Sequence, residues 1–251
     1  MANRFNFKNV LGNIENHAVA AAAIAVVLML LIPVPGVLLD FLMIVNISIS
    51  VIVLLVVLYT PKSSDFTSFP RVLLFATLYG LALNVCSTRL ILTKASETGY
   101  RNFPGNMLKA FSSIVTGDSA MRPSTTGLVI GMVIFIILII IQVIVITKGA
   151  TRVSEVAARF SLDAMNQKFF AVDSELNSGY ITDEQARDKK AAIQRDIDFY
   201  SSMDGASKFV SGNVKAGIFI TAIDLIAGII AGVAIGGMQF GDAASTYSRL
   251  T

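Results

Sequence analysis

The chain has 251 residues, of which 54% are hydrophobic and only 15% are charged, and it contains no Trp. This composition excludes an ordinary soluble globular protein. The single Cys and single His exclude an intrachain disulfide framework and any zinc site or catalytic relay that needs a histidine pair. Because the basic residues behind the net charge of +3 are dispersed along the chain, the sequence predicts no nucleic-acid partner, and it predicts no cofactor, metal or catalytic residue.

Uncharged stretches long enough for a bilayer predict five membrane spans, since a hydrocarbon core about 30 Å thick needs about 20 apolar residues per helix. The first, 18–37, ends in the helix breakers Pro33-Val34-Pro35-Gly36. The second, 38–58, follows almost without a linker. It carries Asp40 at its start, where a carboxylate reaches interfacial water and favours the positive end of the helix dipole. The two spans are predicted to form a tight helical hairpin.

The third and fourth predicted spans differ in character. The third, 70–93, is interrupted by polar residues that include Asn84, Thr88 and Arg89, so it is not a plain lipid-facing helix. The fourth, 126–147, is a run of Ile, Val and Leu and is the clearest of the five.

The fifth predicted span, 216–238, places Gly228, Gly232 and Gly236 four residues apart. This spacing predicts a helix-packing face, because it lets the backbone of another helix approach closely. Asp224 continues the same four-residue series and therefore shares that face.

The 66 residues of 148–213 carry nine Lys/Arg and ten Asp/Glu, so they are predicted to lie outside the lipid. Within them, Thr151 to Met165 suits one helix. A capping-box pattern from Thr182 to Gln185 indicates the start of a longer helix that runs towards Val210.

The sequence therefore predicts an all-α, polytopic helical membrane protein with about five transmembrane helices and a helical cytoplasmic loop. An amino terminus in the cytoplasm puts fourteen Lys/Arg on the cytoplasmic side and five on the other side. The predicted regions are a cytoplasmic tail (1–17), a four-helix membrane region (18–147), the loop (148–213), the fifth span (214–238) and a short tail (239–251).

Two ionisable residues inside predicted spans are candidates for function, because a charge at the bilayer centre costs about 2.5–3.5 kcal/mol. For Arg89 the alternatives are a side chain that snorkels to the interface and a polar lining of a water-filled path. For Asp224 they are a buried carboxyl that is neutral or hydrogen-bonded to Ser or Thr of a neighbouring helix, and a carboxylate that takes up and releases a proton or cation during transport.

Several motifs resemble the FHIPEP family, which comprises flagellar export-gate proteins and their injectisome counterparts. The most extended motif is Val145-Ile146-Thr147-Lys148-Gly149-Ala150 with the block 152–165 after it. Further matches, in order along the chain, are 83–92, Asp173 with 176–179, and 198–210. The resemblance covers nearly all of 17–238, and the block 84–89 is more similar to the flagellar branch.

The resemblance implies a membrane component of a flagellar, type III protein export gate in the bacterial inner membrane, which couples secretion to the proton motive force. It implies a homo-oligomeric ring of nine subunits around export-channel subunits, with the lipid bilayer as a further partner. It also implies gating or ion-coupling roles for Arg89, Arg159, Asp163 and Lys208, to which we add Asp204 of the same loop.

The chain departs from the family pattern at three places. Asn166-Gln167-Lys168-Phe169-Phe170 replaces the usual Pro-Gly-Lys-Gln-Met, which predicts an altered loop turn. Asn213 follows Gly212 where the family resemblance predicts Asp, whereas Asp224 stands where it predicts Asn. We hypothesise that the acidic function has moved eleven residues into the membrane. The chain also stops before the further spans and the large soluble domain of the family, so we expect substrate-docking functions to be absent from it.

Two other classes of function remain open from the residues alone. Arg89 and Asp224 without the family resemblance are compatible with a small ion channel or secondary transporter. The charged loop 148–213 is compatible with a passive membrane anchor that binds a soluble partner. No phosphate-binding loop or nucleophile motif indicates an enzyme.

Overall fold

The computed structural model describes residues 21–62, 65–117 and 125–251, and within these ranges it contains helices and turns but no β-strand. The helices are α1 (Ala21–Leu31), α2 (Gly36–Tyr59), α3 (Phe69–Thr98), α4 (Asn106–Thr116), α5 (Thr125–Ile141), α6 (Thr151–Asn177), α7 (Asp183–Ala234) and α8 (Phe240–Leu250). The predicted all-α class is confirmed. The predicted cytoplasmic tail 1–17 lies outside the described residues.

Four of the five predicted spans correspond to helices long and apolar enough to cross a membrane. They lie in α2, in α3, in the continuous helix Thr126–Asn177 and in α7. The first predicted span is different, because its described part is the short helix α1, which the proline cluster Pro33 to Gly36 separates from α2. Residues 18–20 of that predicted span lie outside the described residues.

Helices α5 and α6 form one uninterrupted helix, joined by the π-helical segment Gln142–Ala150. Its wider turn is visible at Thr147, whose hydroxyl donates to the Gln142 carbonyl five residues earlier at 3.4 Å. The helix also continues through 166–170, so the structure has no turn at these residues, where the sequence departs from the family pattern. Those residues are compatible with a helix because they include neither Pro nor Gly, the two residues that usually end one.

Helix α7 begins at the predicted capping box. The Thr182 hydroxyl accepts from the Gln185 backbone N–H, and the Gln185 side chain accepts from the Thr182 N–H. The predicted helix towards Val210 is thus confirmed, but it does not stop there and runs on through the membrane segment to Ala234. One rigid element therefore joins the charged loop to the last span.

Outside the membrane segments, α6 and the first half of α7 form an antiparallel hairpin, which we call the charged hairpin. Gly179, with a φ of 73°, allows the turn between them. The hairpin core consists of Met165, Val172, Ala186 and Ile193, all buried. Ser154 of α6 and Ser207 of α7 are hydrogen-bonded at 2.8 Å and fix the register of the pair.

The membrane core is built around α3, which packs against α2, α7 and α8. Cys86 is buried there and its thiol donates to the Met29 carbonyl at 3.1 Å, which agrees with a small buried side chain. Helix α8 was predicted only as a tail, yet its Ala243 and Tyr247 are fully buried against this core. The reason is a contact with α7 that sequence periodicity does not reveal.

Candidate functional site

The buried carboxyl of Asp224 is the centre of the candidate site. Asp224 lies in the membrane half of α7 and is only 4% exposed. Its Oδ2 accepts from the Thr88 hydroxyl of α3 at 2.9 Å, whereas its Oδ1 is buried and has no hydrogen-bond partner among the described residues. A hydrogen bond to a Thr of a neighbouring helix, one of the alternatives that the sequence left open for Asp224, is therefore present.

The Thr88 hydroxyl faces two acceptors at once. It lies 2.8 Å from the Asn84 carbonyl of its own helix and 2.9 Å from Asp224 Oδ2. A hydroxyl carries one proton, so it cannot donate to both acceptors. If Asp224 is protonated, it donates to Thr88 and Thr88 donates to Asn84, and both contacts become hydrogen bonds. The arrangement can hold one more proton without any movement of heavy atoms.

Close packing of α3 and α7 keeps this site away from lipid. Seven residues, or about two turns, before Asp224, Gly217 faces Asn84, whose Nδ2 lies 3.6 Å from the position a Cβ would take, an ordinary van der Waals distance. Ser87, beside Thr88 in α3, is also buried. A carboxyl in such surroundings responds strongly to any charge that approaches, since the local dielectric is low.

The predicted glycine face continues from Asp224 towards the end of α7. A Cβ on Gly232 would lie 2.8 Å from Tyr247 Cε2, and one on Gly228 would overlap the same ring. A Cβ on Gly236 would lie 2.7 Å from Ser96 Cβ of α3. The close approach predicted from the spacing is present, but an aromatic side chain of α8, and not a helix backbone, fills the groove at the first two positions.

Arg89 follows Thr88 in α3 but points away from Asp224. Its side chain is exposed, and Nη1 donates to the Leu31 carbonyl at 3.0 Å. Leu31 ends α1, so the guanidinium satisfies one of the carbonyls that a helix terminus leaves unpaired. This position favours the interpretation of Arg89 as a side chain near the interface.

The charged candidates of the loop lie far from Asp224. Lys208 and Asp204 form an ion pair at 2.6 Å within α7, and this hydrogen bond, with the carboxylate charge, raises the pKa of Lys208. Lys208 precedes Asp224 by sixteen residues, which corresponds to about 24 Å along a helix. Arg159 and Asp163 are exposed on α6 and form no ion pair with described residues. The predicted candidates therefore form two separate groups.

Asp40 has a role that the sequence did not reveal. Its two carboxylate oxygens accept from the backbone N–H groups of Asn106 and Met107, each at 2.9 Å, at the start of α4. Asp40 therefore caps α4. The sequence predicted only an interaction with the dipole of its own helix, α2, and not this contact with α4. The only hint was that α4 has Gly105 at its N-cap position, which offers no side-chain acceptor of its own.

Comparison with known proteins finds a family and flagellar relatives that the chain resembles. The model of the FHIPEP family matches residues 26–251. Over 217 residues, or 86% of this chain, the flagellar biosynthesis protein FlhA of Treponema pallidum is 52% identical and that of Borreliella burgdorferi is 50% identical. FlhA of Escherichia coli is 43% identical over the same share. The aligned region is 29–30% of the length of these relatives. No solved structure matches the chain.

Proposed function

Because this chain belongs to the FHIPEP family, we propose that it is the membrane-embedded part of a bacterial flagellar protein-export gate. The flagellar relatives, whose names all include flagellar biosynthesis, support the flagellar rather than the injectisome branch. The chain spans less than a third of those relatives, so the proposal concerns the membrane part alone and not the docking of exported proteins.

The chain is an integral membrane protein, since four of its helices are long and apolar enough to cross a bilayer. We place it in the bacterial inner membrane as a multi-pass protein. The count of Lys/Arg, fourteen on the side of the charged hairpin against five on the other side, supports a cytoplasmic position for that hairpin. We further propose a homo-oligomer that surrounds export-channel subunits, and a transport role in place of an enzymatic one.

The observation on which the mechanism rests is the buried Asp224. A carboxyl with one oxygen on Thr88 and the other unpartnered can exist in two protonation states, and these differ in charge within a low-dielectric environment. The charge change acts on the interface of α3 and α7, where Asn84 and Gly217 are in contact. Protonation driven by the proton motive force then shifts the balance between two packing arrangements of these helices.

Proton flux into liposomes tests this mechanism. The purified chain is reconstituted with a pH-sensitive dye inside the vesicles, and an inward proton gradient is applied. Asp224→Asn keeps the size and the contact with Thr88 but cannot ionise, so we expect at least about a tenfold lower flux. Asp242→Asn, at an exposed carboxylate of α8, is the matched control and leaves the flux unchanged.

Equal flux through the parent chain and Asp224→Asn would remove Asp224 from the mechanism. The gate assignment has its own test, which is co-purification of the chain with the export-channel subunits of its own cell. Ion flux without such co-purification would favour a small channel or transporter over an export component.

A further inference from the structure

An exposed apolar stripe lies on α6, just outside the membrane segment. Val153, Val156 and Phe160 are spaced by three and four residues and are 69%, 39% and 71% exposed. They share one side of the helix, while Ala158 and Met165 on the other side are buried against α7. A row of apolar side chains on a charged hairpin costs free energy in water unless another surface covers it.

The outer surface of α7 has the complementary shape. Its Phe209 is 42% exposed, and the positions that a Cβ would take on Gly205 and Gly212 have no atom within 4 Å apart from the adjacent residues and the nearby backbone of α7. Ser201 and Ser202, also exposed, continue this low surface away from the membrane. A ridge of larger side chains from another helix can approach such a surface closely.

The two surfaces lie at the same distance from the membrane. The hydrogen bond between Ser154 and Ser207 sets the register of the hairpin. With a rise of about 1.5 Å per residue in both helices, Val156 is level with Gly205 and Phe160 is level with Ser201. Copies inserted in one membrane share orientation and depth, so the α6 stripe of one copy meets the α7 surface of the next at matching positions.

Charges of both signs flank each of the two surfaces. Away from the membrane, α6 carries Arg159 and then Asp163, whereas α7 carries Asp198 and then Arg195. In the register above, Asp163 is level with Asp198, and the opposite charges are offset along the helices, Arg159 from Asp198 by four residues and Asp163 from Arg195 by three, or about 6 and 4.5 Å, which the long Arg side chains can span. All four are polar or charged groups outside the hairpin core, and no ion pair joins any of them to a described residue of the same chain.

We propose that the α6 stripe of one copy docks on the outer α7 surface of a second copy, with Arg159 facing Asp198 and Asp163 facing Arg195 across the contact. The proposal deepens the proposed homo-oligomer by assigning its contact surfaces. Because the two surfaces differ, the contact is head-to-tail, and repetition about the membrane normal closes it into a ring.

Disulfide cross-linking in native membranes tests the contact directly. In a Cys86→Ala background, Phe160→Cys and Ser201→Cys are combined in one chain and oxidised mildly. A head-to-tail contact predicts dimers and higher oligomers in a ladder. Each single variant stays monomeric, because its thiol faces no equivalent thiol. The control pair replaces Phe160→Cys with Phe170→Cys, which is also exposed on α6 but lies about 15 Å farther from the membrane.

A charge exchange then tests the pairing. Arg159→Asp and Asp198→Arg each lower the cross-linking yield at least about fivefold, and the double variant restores it. No ladder from the Phe160→Cys and Ser201→Cys pair, or an equal ladder from the control pair, overturns the contact. Cross-links of Phe160→Cys alone between copies, or only to a different protein, overturn it as well. Since the yield is read without any export or flux assay, a failed ladder with normal proton flux leaves the proposed function intact.

Discussion

Helices α2 and α3 are both long enough to cross a membrane and lie against each other, but they use their surfaces differently. The most apolar stretch of α2 has no buried residue, whereas 28% of the corresponding stretch of α3 is buried. Helix α3 also carries the polar residues Asn84, Thr88 and Arg89, while eleven of the 24 residues of α2 are exposed Ile, Val or Leu. Lipid tails are as apolar as these side chains, so the membrane covers α2 and the protein must cover α3.

This comparison shows where function can be placed in a membrane bundle. A helix that faces lipid carries few polar groups, because each one without a partner there costs free energy. A helix packed on three neighbours can hold a polar group wherever a neighbour supplies the partner, as α7 does with Asp224 for Thr88. Substitutions in the lipid-facing and the protein-packed environments are therefore expected to differ in their effect on stability.

The largest effect is expected from a matched pair of leucines in α2. Leu39 is fully buried near the start of the helix, whereas Leu54 is 58% exposed on its lipid-facing part. Leu39→Ala leaves a cavity and is expected to lower the free energy of unfolding by about 2–5 kcal/mol. Leu54→Ala is expected to change it by less than about 0.5 kcal/mol. Chemical unfolding in detergent micelles measures both, and equal losses would contradict the contrast drawn within α2.

A smaller effect is expected from adding one methyl group to a glycine. Gly228→Ala places a Cβ against the ring of Tyr247, with Cε1 at 2.7 Å and Cγ at 2.8 Å. Overpacking of this kind is expected to cost about 1–3 kcal/mol. Gly80→Ala in α3 is the control, since no atom lies within 4 Å of its Cβ position and the substitution favours the helix.

The combination of Gly228→Ala with Tyr247→Ala identifies the cause. If the ring is the obstacle, Gly228→Ala costs less in the Tyr247→Ala background than in the parent chain, as a double-mutant cycle measures. Identical costs in the two backgrounds would exclude Tyr247 as the group that occupies the glycine face.

The smallest effect is expected at the cap of α4. Asp40→Ala removes both acceptors of the Asn106 and Met107 N–H groups and is expected to cost about 1 kcal/mol, as for other N-caps. Hydrogen exchange at these two amides should quicken, while exchange within α3 stays the same. Asp65→Ala, at an exposed residue outside α2 and α4, is the control. Unchanged protection in Asp40→Ala would show that the cap does not stabilise α4.

The sequence alone determined the elements whose signal lies in consecutive residues. Runs of apolar residues gave four of the spans, the Thr182 and Gln185 pair gave the start of α7, and the four-residue spacing placed Asp224 on the glycine face. A hydrogen bond from Asp224 to a Ser or Thr of another helix was one of the alternatives that the sequence left open. Each of these depends on helical periodicity, which any stretch of about two turns displays.

Which residues of distant helices contact each other depends on the packing of the whole bundle. Thr88 and Asp224 are 136 residues apart, Asp40 and Met107 are 67 apart, and no local pattern specifies such pairs. Helix α8 was missed because its stability depends on Tyr247 filling the groove of Gly228 and Gly232. The hydrogen bond of Arg89 to the carbonyl at the end of α1 was likewise not specified by any local pattern. Periodicity fixes the face of a helix on which a residue lies, whereas packing against distant helices selects the atom it contacts.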